Sequence, residues 1–118
     1  MLWQDYPNIE YLLVDGGSTD GSLDIIRSYA DRFAWWVSEP DHGQVEAINK
    51  GFTHAHGQII AWLNSDDLYY RQDTINRAVH ALLAHPEVGM VYADDVMVDA
   101  TIGGKLNIFQ KVGYETLF

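Results

Sequence analysis

The sequence contains no cysteine, so disulfides and thiolate metal sites are excluded, and cysteine usage gives no indication of the redox compartment. Basic residues are also scarce, because 7 Lys and Arg stand against 17 Asp and Glu, for a formal net charge of −10. This charge disfavours attraction to nucleic acid, and no nucleic-acid partner is predicted. The apolar runs are too short to span a bilayer. Residues 1–10, MLWQDYPNIE, lack the charged start and long apolar centre of a signal peptide.

The apolar residues that are present fall into short runs separated by helical patterns. The chain has 118 residues, of which 47% are hydrophobic, which fits a single compact domain. Runs that are rich in β-branched or aromatic residues predict strands at 9–14, 33–37, 58–63 and 88–93. Three-and-four spacing predicts helices within 26–33, 45–55 and 75–82. The alternation indicates an α/β fold with a parallel sheet and flanking helices, and residues 96–110, around Gly103-Gly104, predict a hairpin.

Acidic residues follow each predicted strand. They stand at Asp15, at Asp41, in Asn64-Ser65-Asp66-Asp67 and at Asp94-Asp95. Because the carboxyl ends of parallel strands share one edge of a sheet, these side chains are expected to lie close together. Magnesium or manganese would neutralise them and bridge them to phosphates. The alternative is that acids at strand ends simply solvate the loops.

The stretch VDGGSTDGS, which begins at Val14, resembles a phosphate loop only superficially. Ser22-Leu23 stands where a Walker loop requires Lys followed by Ser or Thr, and the glycine spacing does not fit a dinucleotide fingerprint. The glycines permit a close approach or a positive φ. The residues expected to cap the following helix are Ser18, Thr19 and Asp20. Asp15 precedes this cap and faces the sheet edge, which makes it a candidate for ligand contact.

Three motifs occur in order: VDGGSTDGS, then DHGQVEAINKG, then the strand end LNSDD. Together they resemble the inverting family 2 glycosyltransferases, over about Tyr6 to Asp95. The resemblance implies a glycosyltransferase A fold, with a Rossmann-like, mostly parallel sheet. It further implies that residues 1–118 form a single partial catalytic domain, the half that binds the donor nucleotide-sugar. The family's usual first strand and its downstream catalytic base would then be absent, and no catalytic residue is assigned.

The resemblance assigns nucleotide-binding roles to residues at three of the strand ends. Asp15 matches the aspartate that hydrogen-bonds the nucleotide base, and Asp41 lies in the loop that lines the same pocket. Asn64 stands where the first Asp of the DXD motif is often found, and Ser65 is assigned to the same nucleotide site. An amide at position 64 still accepts a ribose hydroxyl or a metal-bound water, although it brings no charge.

The resemblance also implies a metal site and partners. Asp66 matches the metal-binding acid of the DXD motif, where magnesium or manganese bridges to the donor diphosphate, and Asp67 supplies a further carboxylate. The donor would be a nucleotide-sugar, most commonly a UDP-sugar in this family, and the acceptor a saccharide or a lipid-linked group. A cytoplasmic or membrane-peripheral location is expected. Since the family's first strand is interior to the sheet, self-association into a homo-oligomer is also expected.

Two other interpretations stay open at this point. A magnesium-binding phospho-receiver signalling domain has a similar length and alternation, and Lys105 or Lys111 would have to serve as its required lysine. The predicted hairpin and the LNSDDLY segment argue against this interpretation. The other is a non-catalytic remnant that binds nucleotide weakly or not at all. Asp94 or Asp95 is a candidate catalytic base, but the family pattern gives neither much support.

Overall fold

A computed structural model describes residues 1–93, 96–99 and 107–110. The elements in chain order are β1 (Leu12–Asp15), α1 (Ser22–Ser28), a short 3-10 turn (Ala30–Arg32), β2 (Trp35–Ser38), α2 (Gln44–Thr53), α3 (Thr74–Ala84), β3 (Val96–Asp99) and β4 (Asn107–Gln110). The chain divides into two compact units, Met1–Asn76 and Arg77–Phe118. The α/β class predicted from the alternation is confirmed.

The first unit is organised around a parallel strand pair. β1 pairs with β2 in a register that runs from Leu12 opposite Trp35 to Asp15 opposite Ser38. α1 lies between these strands in the chain, as in any parallel βαβ connection. α2 packs against β1, and a Cβ added at Gly51 would lie 3.7 Å from Val14 Cγ2. The carboxyl ends of β1 and β2 therefore lie side by side, which positions the loops that follow them.

Helices α2 and α3 begin and end near the predicted positions, whereas α1 lies earlier than the predicted range 26–33 and overlaps it only over residues 26–28. The residue before α1 is Gly21, which makes no side-chain cap, but Asp20 Oδ1 accepts a hydrogen bond of 3.1 Å from the Ser22 N–H. Asp20 thus accepts a backbone hydrogen bond from the first turn of α1, whereas the Ser18 N–H donates to Asp15. α2 follows Gly43, whose φ of +115° is a conformation that glycine adopts readily.

Two predicted strands are wrong. In residues 1–93 the structure pairs only β1 with β2, and neither 58–63 nor 88–93 forms a strand. A strand exists only where its backbone groups have a pairing partner, which local composition does not specify. The apolar residues of 58–63 are accordingly accessible, with Ile60 at 50% exposure and Trp62 at 62%.

The second unit contains a hairpin. β3 and β4 pair antiparallel, with Val96 opposite Gln110 and Asp99 opposite Asn107, which confirms the hairpin predicted over 96–110. The residues Gly103 and Gly104 expected to lie at its turn are outside the described part of the chain. None of the helices in the described ranges is long and apolar enough to cross a membrane.

Few side chains of residues 1–93 are removed from solvent. The buried hydrophobic residues there are Ile26 and Val79, one in each unit. In the first unit, the ring of Tyr11 also meets the ring of Phe33 edge-on, with centroids 5.0 Å apart.

Candidate functional site

A cleft of about 1010 Å³ in the first unit is lined by β1, by residues of α1 and α2, and by the segment 61–67. It gathers most of the residues predicted to form the nucleotide and metal sites: Asp15, Asn64, Ser65, Asp66 and Asp67. Residues that are far apart in sequence therefore share one concave surface, although the loop 64–67 reaches it without the strand that was predicted to precede it. Their individual roles in binding remain predictions.

Asp15, at the end of β1, is held by a dense set of hydrogen bonds. Its Oδ2 accepts from the backbone N–H of Gly17 at 3.2 Å, from the N–H of Ser18 at 3.0 Å and from Ser38 Oγ at 2.7 Å. Its Oδ1 accepts from Ser18 Oγ. The hydroxyls of Ser18 and Ser38, helped by the backbone donors, lower the pKa of Asp15 against the opposing effect of burial. The carboxylate is therefore charged at neutral pH and fixed in orientation.

Ser38 was not identified by sequence reasoning. It stands opposite Asp15 because β1 and β2 pair in parallel with Leu12 opposite Trp35. The strand register, rather than any motif around position 38, brings its hydroxyl to the carboxylate. A prediction of parallel pairing with both strand ends aligned would have been the signal.

The glycine turn after β1 packs against the loop after β2. A Cβ added at Gly16 would lie 3.0 Å from Asp41 Oδ2, and one added at Gly17, where φ is +85°, would lie 3.2 Å from the Pro40 nitrogen. The close approach and the positive φ expected of this turn are both observed. Asp41 Oδ1 also accepts a 2.8 Å hydrogen bond from the Gly43 N–H. Asp41 thus lies beside the turn that follows Asp15, although it is not among the residues that line the cleft.

An ion pair ties the loop after β2 to α2. Lys50 Nζ donates to Glu39 Oε1 at 2.7 Å, and the Lys50 side chain is 21% exposed. The hydrogen bond that Lys50 donates to Glu39 is the main reason that the pKa of Lys50 is raised. The Lys50 ammonium is therefore engaged in holding the loop after β2 through Glu39.

The acidic loop 64–67 is organised by Asn64. The backbone carbonyl oxygen of Asn64 accepts a 3.2 Å hydrogen bond from the Asp67 N–H, which closes a turn. The side-chain Nδ2 of Asn64 donates to Asp67 Oδ2 at 2.8 Å. Its Oδ1 accepts from Nε2 of Gln44, the first residue of α2. Gln44 was also missed by sequence reasoning, because nothing in the motif shows that its side chain reaches this loop. Within the described part of the chain, no residue hydrogen-bonds or ion-pairs with the Asp66 carboxylate.

The donor chemistry of the loop fits a hard cation. Asp66 and Asp67 line the cleft, and their carboxylate oxygens are the ligand type that magnesium and manganese prefer. Across residues 1–93, 96–99 and 107–110 there is no group of three or more His, Asp or Glu side chains that could hold a metal ion. Magnesium is commonly bound by one or two carboxylates together with substrate phosphates, so these two residues suit a cation whose coordination is completed by a ligand.

Several residues considered from the sequence lie outside the described ranges. They are the candidate base residues Asp94 and Asp95, and the lysines that a phospho-receiver domain would need, Lys105 and Lys111.

The chain is similar to known sugar transferases. The sequence profile of glycosyl transferase family 2 matches residues 1–115. A glycosyltransferase of Mycobacterium tuberculosis strain CDC 1551 is 39% identical over 74 residues, covering 63% of this chain and 28% of the relative. A PGL/p-HBAD biosynthesis glycosyltransferase of Mycobacterium bovis strain BCG is 34% identical over 93 residues, covering 76% of this chain and 36% of the relative.

A glycosyltransferase of Rickettsia typhi is 39% identical over 69 residues, covering 58% of this chain and 21% of the relative. This chain thus spans 21% to 36% of the length of these curated relatives. No solved structure gives a significant match. The family profile, which extends over nearly the whole sequence, does not describe a phospho-receiver domain. The chain belongs to glycosyltransferase family 2.

Proposed function

We propose that this chain forms the donor-binding part of a metal-dependent glycosyltransferase. The cleft would bind the nucleotide diphosphate of a nucleotide-sugar, and the sugar would pass with inversion to a hydroxyl of a saccharide or lipid-linked acceptor. The observation that carries this proposal is the single cleft that joins Asp15 to the acidic loop 64–67. Base recognition at one end and phosphate-bound metal at the other require such an arrangement.

At the β1 end, Asp15 would accept a hydrogen bond from an N–H group of the nucleotide base. A carboxylate has about four lone-pair sites. Oδ2 already accepts from Gly17, Ser18 and Ser38, whereas Oδ1 accepts only from the Ser18 hydroxyl. Oδ1 is therefore the oxygen with capacity for a ligand. The N3–H of uracil is a donor of the required kind, which is in keeping with a UDP-sugar.

At the other end, Asp66 and Asp67 would hold magnesium or manganese. A divalent cation there stabilises the negative charge that develops on the departing diphosphate, which is worth several kcal/mol in metal-assisted reactions. The role of the two aspartates is to keep carboxylate oxygens in the cleft, and that of Asn64 is to fix one oxygen of Asp67 through its 2.8 Å hydrogen bond. Asn64 and Ser65 line the same cleft and would contact the ribose or a metal-bound water, for which Asn64 Oδ1 keeps one lone pair besides the one that accepts from Gln44.

Inversion requires a base that deprotonates the acceptor hydroxyl as it attacks from the face opposite the diphosphate. No described residue is assigned this role. The donor site and the base are separable requirements, so nucleotide binding can be tested without catalysis.

Calorimetric titration with UDP and manganese tests the donor site. We expect the native chain to bind UDP in a manganese-dependent manner and Asp66→Ala to lose that dependence. Asp31→Ala is the matched control, because it removes the same charge from an exposed residue that does not line the cleft. An equal loss of manganese dependence in Asp66→Ala and Asp31→Ala would mean that net charge alone causes the effect. Absence of binding in all three proteins would favour the non-catalytic remnant.

Self-association is a second testable part of the proposal. In the first unit the two-stranded sheet leaves one edge of β1 without a paired strand among the described residues. Exposed sheet edges are templates for pairing with another chain. Light scattering should therefore show a dimer or larger species whose population rises with concentration. A clean monomer at high concentration would contradict this expectation.

A further inference from the structure

The proposed donor site needs Asp66 and Asp67 to present carboxylate oxygens to a cation, yet the loop that carries them is exposed. We propose that Gln44 is a positioning residue that sets which of these oxygens face the cation, acting through the side chain of Asn64. This inference rests on the proposed donor site. It concerns the first residue of α2, which lines the same cleft and whose side chain hydrogen-bonds Asn64.

A chain of hydrogen bonds runs from α2 to the acidic loop. Gln44 Nε2 donates to Asn64 Oδ1, and Asn64 Nδ2 donates in turn to Asp67 Oδ2 at 2.8 Å. A carboxamide has its acceptor and its donors at opposite ends. When Gln44 engages the oxygen of Asn64, the NH₂ group of Asn64 is directed to Asp67. The orientation of Asn64 is thereby favoured at both ends, by the Asp67 carboxylate, which can only accept, and by a donor that lies 20 positions earlier in the sequence.

This orientation determines how the carboxylates are used. Asp67 Oδ2 accepts from Asn64, so Asp67 Oδ1 and the Asp66 carboxylate keep the greatest capacity to face a cation in the cleft. In the reversed orientation, the carbonyl of Asn64 would face the Asp67 carboxylate. Two acceptors in contact repel each other, and Asp67 would turn away from the position held in the structure. A donor at position 44 therefore favours the arrangement that is competent to bind metal.

The variant Gln44→Glu separates positioning from charge. It keeps the length of the side chain but replaces the donor with a carboxylate, which cannot donate to Asn64. It also adds a negative charge beside a cation site, so Coulomb attraction alone would tighten binding. Positioning predicts the opposite sign. Loss of groups that orient metal ligands typically weakens metal affinity by about 10–100-fold, and we expect a weakening near the lower end of that range.

The matched control is Val45→Glu. Val45 is the next residue of α2, is 72% exposed and does not line the cleft. The Val45→Glu variant introduces the same charge without altering the hydrogen bonds among Gln44, Asn64 and Asp67, so manganese affinity should stay unchanged or rise slightly. Manganese binding would be measured by electron paramagnetic resonance, which follows the loss of the free-ion signal, with UDP present at a fixed concentration.

A second readout is independent of metal. The side-chain carboxamide signals of Asn64 in a nitrogen–proton NMR spectrum report its hydrogen bonds directly. Gln44→Met removes the donor without adding charge, and Gln44→Glu replaces the donor with an acceptor. Both should shift these signals and speed the exchange of the carboxamide protons with water, whereas Val45→Glu should leave them in place.

The outcomes distinguish the two proposals. Unchanged Asn64 signals in both Gln44 variants would overturn the role of Gln44 and leave the donor site intact. The role of Gln44 would also be overturned if the Asn64 signals shifted but manganese bound as tightly to Gln44→Glu as to Val45→Glu. A native chain that binds no manganese in the presence of UDP would overturn the donor site itself, and with it the function given to Gln44. Shifted signals together with weakened manganese binding would support the proposal.

Discussion

The two ends of the cleft are built differently. At the end of β1, Asp15 is fixed by backbone N–H groups, by a neighbouring hydroxyl and by Ser38 across the sheet. In the loop 64–67, the carboxylates depend on exposed side chains, with Asn64 linking Gln44 to Asp67. One end is therefore held rigidly by backbone groups and by a residue across the sheet, whereas the other is held by exposed side chains. The rigid end and the exposed loop would suit the base-recognition and metal-binding roles proposed for them.

Gly17→Ala should break the rigid end with the largest effect on stability. The residue has a φ of +85°, and the new Cβ would lie 3.2 Å from the Pro40 nitrogen. A left-handed conformation costs a non-glycine residue about 1–2 kcal/mol, and the contact adds to it, so we expect the free energy of unfolding to fall by about 1–3 kcal/mol. Urea denaturation would measure this change.

Gly21→Ala is the control for that experiment. Gly21 has a φ of +94°, but an added Cβ would meet nothing within 4 Å. It should therefore show the conformational cost alone, about 1 kcal/mol. If both variants lost the same free energy of unfolding, the contact of the added Cβ with the loop after β2 would carry no cost.

Ser38→Ala should weaken the rigid end by a smaller amount. The variant removes a 2.7 Å hydrogen bond to the Asp15 carboxylate, and such bonds contribute about 1 kcal/mol or somewhat more. The pKa of Asp15 should rise towards its ordinary value of 3.8, since the Ser38 hydroxyl is one of the causes of its lowering. A carbon NMR titration of the side-chain carboxyl would follow this shift.

The sign of the pH dependence follows from that lowered pKa. Because folded Asp15 binds its proton less readily than unfolded Asp15, its contribution to stability is complete above 3.8 and is lost as the pH falls through the lower, folded pKa. In Ser38→Ala this acid-sensitive window should narrow. If the variant and the native chain lost stability over the same acid range, Ser38 would not be a cause of the lowered pKa.

How much of this could be predicted from the sequence differs between contacts. Apolar periodicity located most of the helices, and the acidic run after the apolar segment 58–63 located the loop 64–67, because both signals are local. The segment 58–63 has the composition of a strand, but it forms none, since pairing depends on a partner that the segment does not encode. Ser38 lies 23 positions from Asp15, and Gln44 lies 20 from Asn64. Such contacts arise from strand register and loop geometry, which no motif contains.

Asn64→Ala should have the smallest effect on stability and so sharpen the contrast between the two ends. Asn64 is exposed, and its hydrogen bonds to Gln44 and Asp67 compete with water. Surface substitutions of this kind change the free energy of unfolding by about 0.5 kcal/mol or less, well below the loss expected for Ser38→Ala. Manganese affinity, in contrast, should fall, because Asp67 loses the donor that holds its Oδ2. If urea denaturation showed a loss as large as that of Ser38→Ala, the loop would be as firmly built into the fold as the end of β1.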